Sequence, residues 1–216
     1  RYDDNSEFDS ANTFRVEAVY QLNDGTRLRS AYGTAIKNPT FTERFGFYTN
    51  FIGNPNLEPE ESASWELGID QMLFDNSLTL SATLFDTELK NEINGSALDP
   101  VTFGYTAINK EGKSQRQGFE LTAIGTLSSR LSLNAAYTYT DSVEWDAENA
   151  VYIDELRRAR HIASLNLAWQ AMDSLHINAN VQHNGSQTDV VFPNIVDLDS
   201  YTLVNLNVNF SATEKL

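Results

Sequence analysis

The run Gly53-Asn54-Pro55-Asn56-Leu57-Glu58-Pro59-Glu60 is preceded by Lys37-Asn38-Pro39-Thr40-Phe41-Thr42-Glu43-Arg44-Phe45 and followed by Trp65-Glu66-Leu67-Gly68. Three of the chain's five prolines fall here and stiffen the stretch into a long connection, 37–61, between two strands that read as 26–36 and 62–73. Its aromatics, Phe41, Phe45, Phe47, Tyr48 and Phe51, have two readings: ligand contacts at the open end of a barrel, or rings that pack on one another.

Outward from this loop the chain keeps one rhythm. Leu131, Leu133, Ala135, Tyr137 and Tyr139 alternate with Ser132, Asn134, Thr138 and Thr140, the period-two pattern of a strand with unlike faces. Leu175, Ile177, Ala179 and Val181 alternate in the same way with His176, Asn178, Asn180 and Gln182, and Val204, Leu206 and Val208 with Asn205, Asn207 and Asn209. The pattern predicts nine strands, at 12–21, 26–36, 62–73, 78–92, 105–126, 131–141, 160–170, 174–185 and 200–211. Short turns (Asn23-Asp24-Gly25, 74–77, 128–130, 171–174) alternate with long loops (37–61, 93–104, 142–159, 186–199). In an up-and-down meander all the short turns then gather on one rim and all the long loops on the other, as in outer-membrane barrels.

A soluble antiparallel sandwich also alternates. Its strands usually run five or six residues, whereas several here need ten or more, the length that spans a bilayer at a tilt. Asn, Thr, Ser and Gln line one face in runs, which a dry core rejects and a wet or plugged lumen accepts. Tyr20, Tyr32, Trp65, Phe85, Tyr137, Tyr139, Trp169 and Tyr201 lie near strand ends, where an interfacial girdle places aromatics. No stretch approaches the apolar run of a spanning helix, a test that a β-barrel escapes.

With 30 acidic and 15 basic residues the net charge is -15, which disfavours nucleic-acid binding. The absence of Cys excludes disulfides, thiolate metal sites and cysteine nucleophiles. His161, His176 and His183 lack metal or triad spacing, and neither a nucleophile elbow nor a phosphate loop is present, so the reading is of a non-enzyme without a cofactor. Asp141, Glu144, Asp146 and Glu148 in one long loop are candidate oxygen ligands for Ca²⁺, against the plainer reading of solvated loop charge balanced by Arg157, Arg158 and Arg160. Asp3, Asp4, Glu7 and Asp9 carry the same plain reading.

The motifs around residue 53 resemble the barrel signature of TonB-dependent outer-membrane receptors. In that family a strand ends in aromatic-x-x-Pro-Thr-hydrophobic-x-Glu and returns through Gly-Asn-Pro-x-Leu-x-Pro-Glu into a strand carrying Glu-x-Gly. The matching positions are Pro39, Thr40, Glu43, Gly53, Asn54, Pro55, Leu57, Pro59, Glu60, Glu66 and Gly68, with Ile36 replacing the usual aromatic. Arg1-Tyr2-Asp3 with Phe8, and Gln117-Gly118-Phe119-Glu120, are fainter echoes. By this reading Glu43, Glu60 and Glu66 terminate or orient strands rather than touch ligand.

The resemblance implies an all-β chain, an antiparallel up-and-down meander that is a fragment of a 22-stranded transmembrane β-barrel. It also implies a bacterial outer-membrane location, lipid bilayer as surroundings, and active uptake of a scarce large nutrient, with TonB acting through a plug domain. Residues 1–216 are expected to form a single unit from the C-terminal half of the barrel, without the plug and, ending at Glu214-Lys215-Leu216, without the last strands, so that the piece alone transports nothing. Both cargo classes, cobalamin and ferric siderophore, stay open. Acidic outer loops disfavour anionic ferric catecholates and suit a nearly neutral ligand. A plug-free porin-type barrel and a soluble β-sandwich binding domain are the alternatives.

Overall fold

The computed structural model describes residues 1–6, 8, 10–46, 50–191 and 194–212. Of the positions singled out above, Glu7, Asp9, Phe47, Tyr48 and 214–216 lie outside the described residues. In chain order the elements are β1 (Tyr2–Asp3), β2 (Ala11–Asn12), β3 (Arg15–Asn23), β4 (Thr26–Lys37), α1 (Phe41–Phe45), β5 (Phe51–Ile52), β6 (Glu60–Leu73), β7 (Leu78–Lys90), β8 (Ile93–Leu98), β9 (Tyr105–Asn109), β10 (Lys113–Ser128), β11 (Leu131–Asp146), β12 (Val151–Asp154), β13 (His161–Met172), β14 (Leu175–Asn184), β15 (Gln187–Val191), β16 (Asn194–Leu198) and β17 (Tyr201–Phe210).

Nine long strands form one antiparallel sheet in the order β17-β14-β13-β11-β10-β7-β6-β4-β3, with β12 added beside the outer end of β11. Each long strand pairs with the next long strand in the chain, so the meander read from the alternation is the observed topology, and the sheet does not close into a barrel. Three of the four short turns carry a register shift beside them, at Gln21/Asn23, Thr126/Ser128 and Gln170/Met172. Such bulges tighten the local twist and help a sheet curve.

Four expectations need correction. The strand predicted at 105–126 is two: β9 ends at Asn109, and the left-handed Gly112 (φ 79°) lets the chain turn before β10. The loops predicted at 93–104 and 186–199 hold strands, β8 within a three-stranded sheet with β9 and β5, and β15 paired with β16. The loop predicted at 142–159 begins late, because β11 continues to Asp146 and β12 folds back on it, Val143 opposite Asp154. Phe85 and Tyr201 do not belong to an outer girdle. Phe85 is paired with Glu66 and Gly118, and Tyr201 with Asn184, which puts both on the polar face.

The sheet has no core of its own. Among the described residues the buried apolar side chains are Leu57, Ala107 and Ala159, all in the long connections, while Leu206 stays 68% exposed and Val204 69%. No second sheet covers the apolar face among the described residues, as a sandwich requires. Register instead stacks the apolar residues into layers: Leu133 is level with Leu167, Ala179 and Leu206, and Leu67 with Leu84 and Phe119. Toward the long-loop rim this band gives way to Trp65, Asp86 and Gln117, and on β11 it ends with Tyr139 against His161. From Leu131 to Tyr139 is the length of strand that crosses a hydrocarbon layer.

The opposite face is mainly polar, with Phe85, Ile124, Tyr201 and Leu203 among its few apolar or aromatic members. Asn134, Asn166, Asn180 and Asn205 stand in one register row, Asn180 Nδ2 donating to Asn166 Oδ1 at 2.7 Å and Asn205 Nδ2 to Asn180 Oδ1 at 3.2 Å. At the other side of the sheet Arg27 and Arg29 both bind Asp70 Oδ2, at 2.8 and 3.0 Å, and the Asp70 side chain is only 3% exposed.

Replacing Leu133 or Leu206 with Arg sets a charge into the apolar band. The expected outcome is a cost of about 2–4 kcal/mol near the bilayer midplane and loss of assembled protein from the membrane. Asn178→Arg, on the opposite face, is expected to leave assembly intact; heat-modifiable mobility in outer-membrane fractions measures both.

Candidate functional site

The long loops share one rim, and the segment 37–61 builds the part of it nearest β3 and β4. Thr40 caps α1: its Oγ1 accepts from the Glu43 amide at 3.3 Å, and Glu43 Oε2 accepts from the Thr40 amide at 2.6 Å. This reciprocal pair satisfies two donors that a helix start leaves open. Gly46, at φ 71°, ends the helix, its amide donating to Thr42 O at 2.9 Å. The returning chain presses Gly53 against that end so closely that an added Cβ would lie 2.3 Å from the Phe45 carbonyl carbon and 2.4 Å from Arg44 O. Asn54 then donates its amide to Glu43 O at 2.9 Å and accepts from the Asn56 amide at 3.0 Å, and Leu57 turns inward and is buried.

The same segment grips the next long loop. β5 pairs with β9 in parallel, and the Tyr105 amide donates to Asn50 O at 2.8 Å. Asn54 Nδ2 donates to the carbonyl of the fully buried Ala107 at 2.9 Å. Asn109 faces the Glu58 backbone as a strand would: its Oδ1 accepts from the Glu58 amide and its Nδ2 donates to the Glu58 carbonyl, each at 2.9 Å. Glu60 accepts from the Ile93 amide at 2.9 Å and holds Lys37 at 3.0 Å, so it joins two strand ends to the neighbouring loop.

Of the loop aromatics, Phe41 and Phe45 meet on α1 with centroids 4.8 Å apart, and both are exposed. The Arg44 guanidinium lies 4.8 Å from the Phe8 centroid and 5.1 Å from that of Phe45, and donates to Pro55 O at 3.3 Å. Phe51 is drawn away from this group into β5, where it stands opposite Tyr105.

Glu66 and Gly68 face the polar side of the sheet instead. An added Cβ on Gly68 would lie 2.8 Å from Arg29 Nη2. The missing side chain leaves a gap through which Arg29, on β4, crosses β6 and donates to Thr83 Oγ1 on β7 at 3.1 Å. Glu66 and Glu120 line the same depression.

The four candidate calcium ligands are not brought together. Asp141 faces Arg160 at 3.4 Å, Glu144 binds Lys110 at 2.6 Å, and Asp146 accepts from the Glu148 and Asn149 amides and from Asn149 Nδ2. Among the described residues the carboxylates that cluster are Glu92, Glu144 and Glu155. Arg116 already occupies their midst, donating from Nε and Nη2 to both oxygens of Glu155 at 2.9 and 2.8 Å, with Glu92 at 3.6 Å. Burial alone would push the Glu155 carboxyl up, but hydrogen bonds from Arg116 and Ser142 and the Arg116 charge outweigh it and hold the group below its ordinary value. Sequence reading missed Asn109 and the Arg116–Glu155 pair, because their partners lie 51 and 39 residues away and no local motif marks them.

Against known proteins, the TonB dependent receptor-like, beta-barrel family matches along residues 1–216. The chain belongs to that family. A curated relative, the vitamin B12 transporter BtuB of Photobacterium profundum, is 27% identical over 218 residues, which cover all of this chain and 34% of that protein. The chain thus spans about a third of the relative's length. The siderophore receptor PirA of Acinetobacter baumannii superposes with a TM-score of 0.76 at 19% identity, covering 99% of this chain and 36% of that one. The ferripyoverdine receptor of Pseudomonas aeruginosa superposes with a TM-score of 0.70 at 23% identity, covering 93% and 27%. These likenesses establish the receptor barrel fold, of which this sheet is an open arc.

Two outcomes follow from the geometry of the rim. Gly53→Ala is expected to drive α1 away from the returning chain and expose 41–46 to limited proteolysis, with the strands unchanged. Glu155→Gln is expected to raise opening of the 147–160 loop roughly thirtyfold by hydrogen exchange at neutral pH, from loss of about 2 kcal/mol of charged hydrogen bonding. Because the folded carboxyl titrates below 4.5, its contribution is complete above that pH and disappears as pH falls through the lower folded value, so wild type and Glu155→Gln should converge in acid.

Proposed function

We propose that this chain is part of the barrel of a bacterial outer-membrane, TonB-dependent receptor that takes up a scarce large nutrient and carries out no catalysis. The observation that carries the reading is the family match along every residue, on a sheet whose uncovered apolar band suits lipid and whose long connections form a built rim. Relatives about three times as long fit a chain that is one part of a longer protein. We place residues 1–216 as one unit in the C-terminal half of a 22-stranded barrel on the motif resemblance, with the plug that receives TonB elsewhere in the protein.

For the cargo we favour a nearly neutral corrinoid of the cobalamin class over an anionic ferric siderophore. The loop 185–200 carries Asp189, Asp197 and Asp199 and no basic residue, and a negative rim repels anions. The vitamin B12 transporter among the relatives agrees with this choice. Phe41 and Phe45 are the contact residues in this reading, since they present an exposed aromatic pair at the rim.

The test is titration of the full receptor, purified in detergent, with cyanocobalamin and with a ferric catecholate. Cyanocobalamin is expected to bind at least about tenfold more tightly, and Phe41→Ala with Phe45→Ala to weaken it by about tenfold. Tighter binding of the catecholate would overturn the cargo assignment alone. Absence of the protein from outer-membrane fractions, with no binding of either ligand, would overturn the receptor reading.

A further inference from the structure

We propose that Asn109 is a positioning residue that locks the 91–112 loop to the 38–59 loop, so that the two present one rigid recognition surface. This rests on the reading that the rim receives cargo. A primary amide carries the same donor and acceptor as a peptide group, and Asn109 uses both on one backbone unit, that of Glu58, at 2.9 Å each. Its Nδ2 also lies 2.7 Å from Asn91 O, so a single side chain ties three segments. Beside it in the chain, Leu57 precedes Glu58 and Ala107 lies two residues before Asn109, and both are buried. No charge takes part in the Asn109–Glu58 pairing, so salt does not screen it.

The neighbouring joints differ in kind. The 91–112 loop is tied by Lys110 to Glu144 near the outer end of β11, at 2.6 Å, and the 147–160 loop by Glu155, whose side chain is only 5% exposed, to Arg116 on β10. The 147–160 and 185–200 loops meet through Arg157 and Asp189 at 2.6 Å, with the arginine 70% exposed, and through the Arg157 amide on Thr188 O. Exposed ion pairs contribute little and fade with salt. The rim is therefore firm on the side that bears α1 and yields progressively toward β15 and β16, and Asn109 is the firm end's fixing point.

The experiment uses the full receptor in lipid nanodiscs, with Asn109→Leu, which removes both hydrogen bonds at similar size, and Asn109→Asp, which keeps the acceptor for the Glu58 amide. Amide exchange in the peptides holding Glu58 and Tyr105 is expected to quicken about tenfold in Asn109→Leu and less in Asn109→Asp, with β6 and β7 unchanged. Cyanocobalamin is expected to dissociate about tenfold faster from Asn109→Leu, with partial recovery in Asn109→Asp. Exchange that rises on one loop only, or equally in β6 and β7, would overturn the joint. A loosened joint with unaltered dissociation would overturn the positioning role. Should wild type bind no cyanocobalamin, the cargo assignment fails by itself, and exchange still decides the joint.

Discussion

The backbone ladder between consecutive antiparallel strands is the interaction on which everything else in this molecule depends. Burial cannot be, because the sheet encloses nothing: its apolar side chains face outward in register and its polar ones face the concave side. In hydrocarbon a peptide group has no other partner than a neighbouring strand, so an unbroken sequence of sideways pairings is the condition for residing there. Side-chain identity on each face is then chosen by the medium that the face meets rather than by complementarity to another layer. This is why the alternation is so regular and why the exposed Leu206 of β17 is no anomaly.

The connections obey the opposite rule. They stand beyond the apolar band, where water competes for every polar group, and they are where the buried apolar residues among those described are found. Order there is assembled from side chains acting on backbone: the Thr40–Glu43 box, Asn54 on Ala107, Asn109 on Glu58, Glu60 on Ile93. Of the motif residues, Thr40, Glu43 and Gly53 thus fasten the 37–61 loop to itself, and Asn54 and Glu60 fasten it to the next. The motif's two later residues belong to the wall, where Gly68 opens the space that Arg29 needs and Glu66 borders the same hollow.

The nine-stranded wall, its pairing order and the alternation of short turns with long connections were legible because a period of two, punctuated by turn residues, is a local signal, whereas the short strands within the connections, β8, β15 and β16 among them, were not. The break between β9 and β10 was missed although Gly112 marks a local turn, and the pairing of β9 with β5 and β8 removes it from the wall. Phe85 looked like a girdle residue because it lies near a strand end, but the period-two count along β7 sets it on the face of Thr79, Ser81 and Thr83, where the missing side chain of Gly118 leaves room for the ring. Glu43 and Glu60 were read from the motif as residues that terminate or orient strands, and the helix that Glu43 caps was not foreseen, whereas Asn109 could not be distinguished from any other loop asparagine without its partner across 51 residues.

The asparagine row on the concave wall has a further consequence. Asn205 gives to Asn180 and Asn180 gives to Asn166, so the amides point one way along the row. Turning every amide over would reverse the direction and preserve each bond, since a primary amide is nearly symmetric in shape and opposite in its two ends. The row therefore has no inherent polarity. A surface of this kind can offer a donor at one end or an acceptor at the same end, according to what approaches it, and the choice at one end is transmitted to the other.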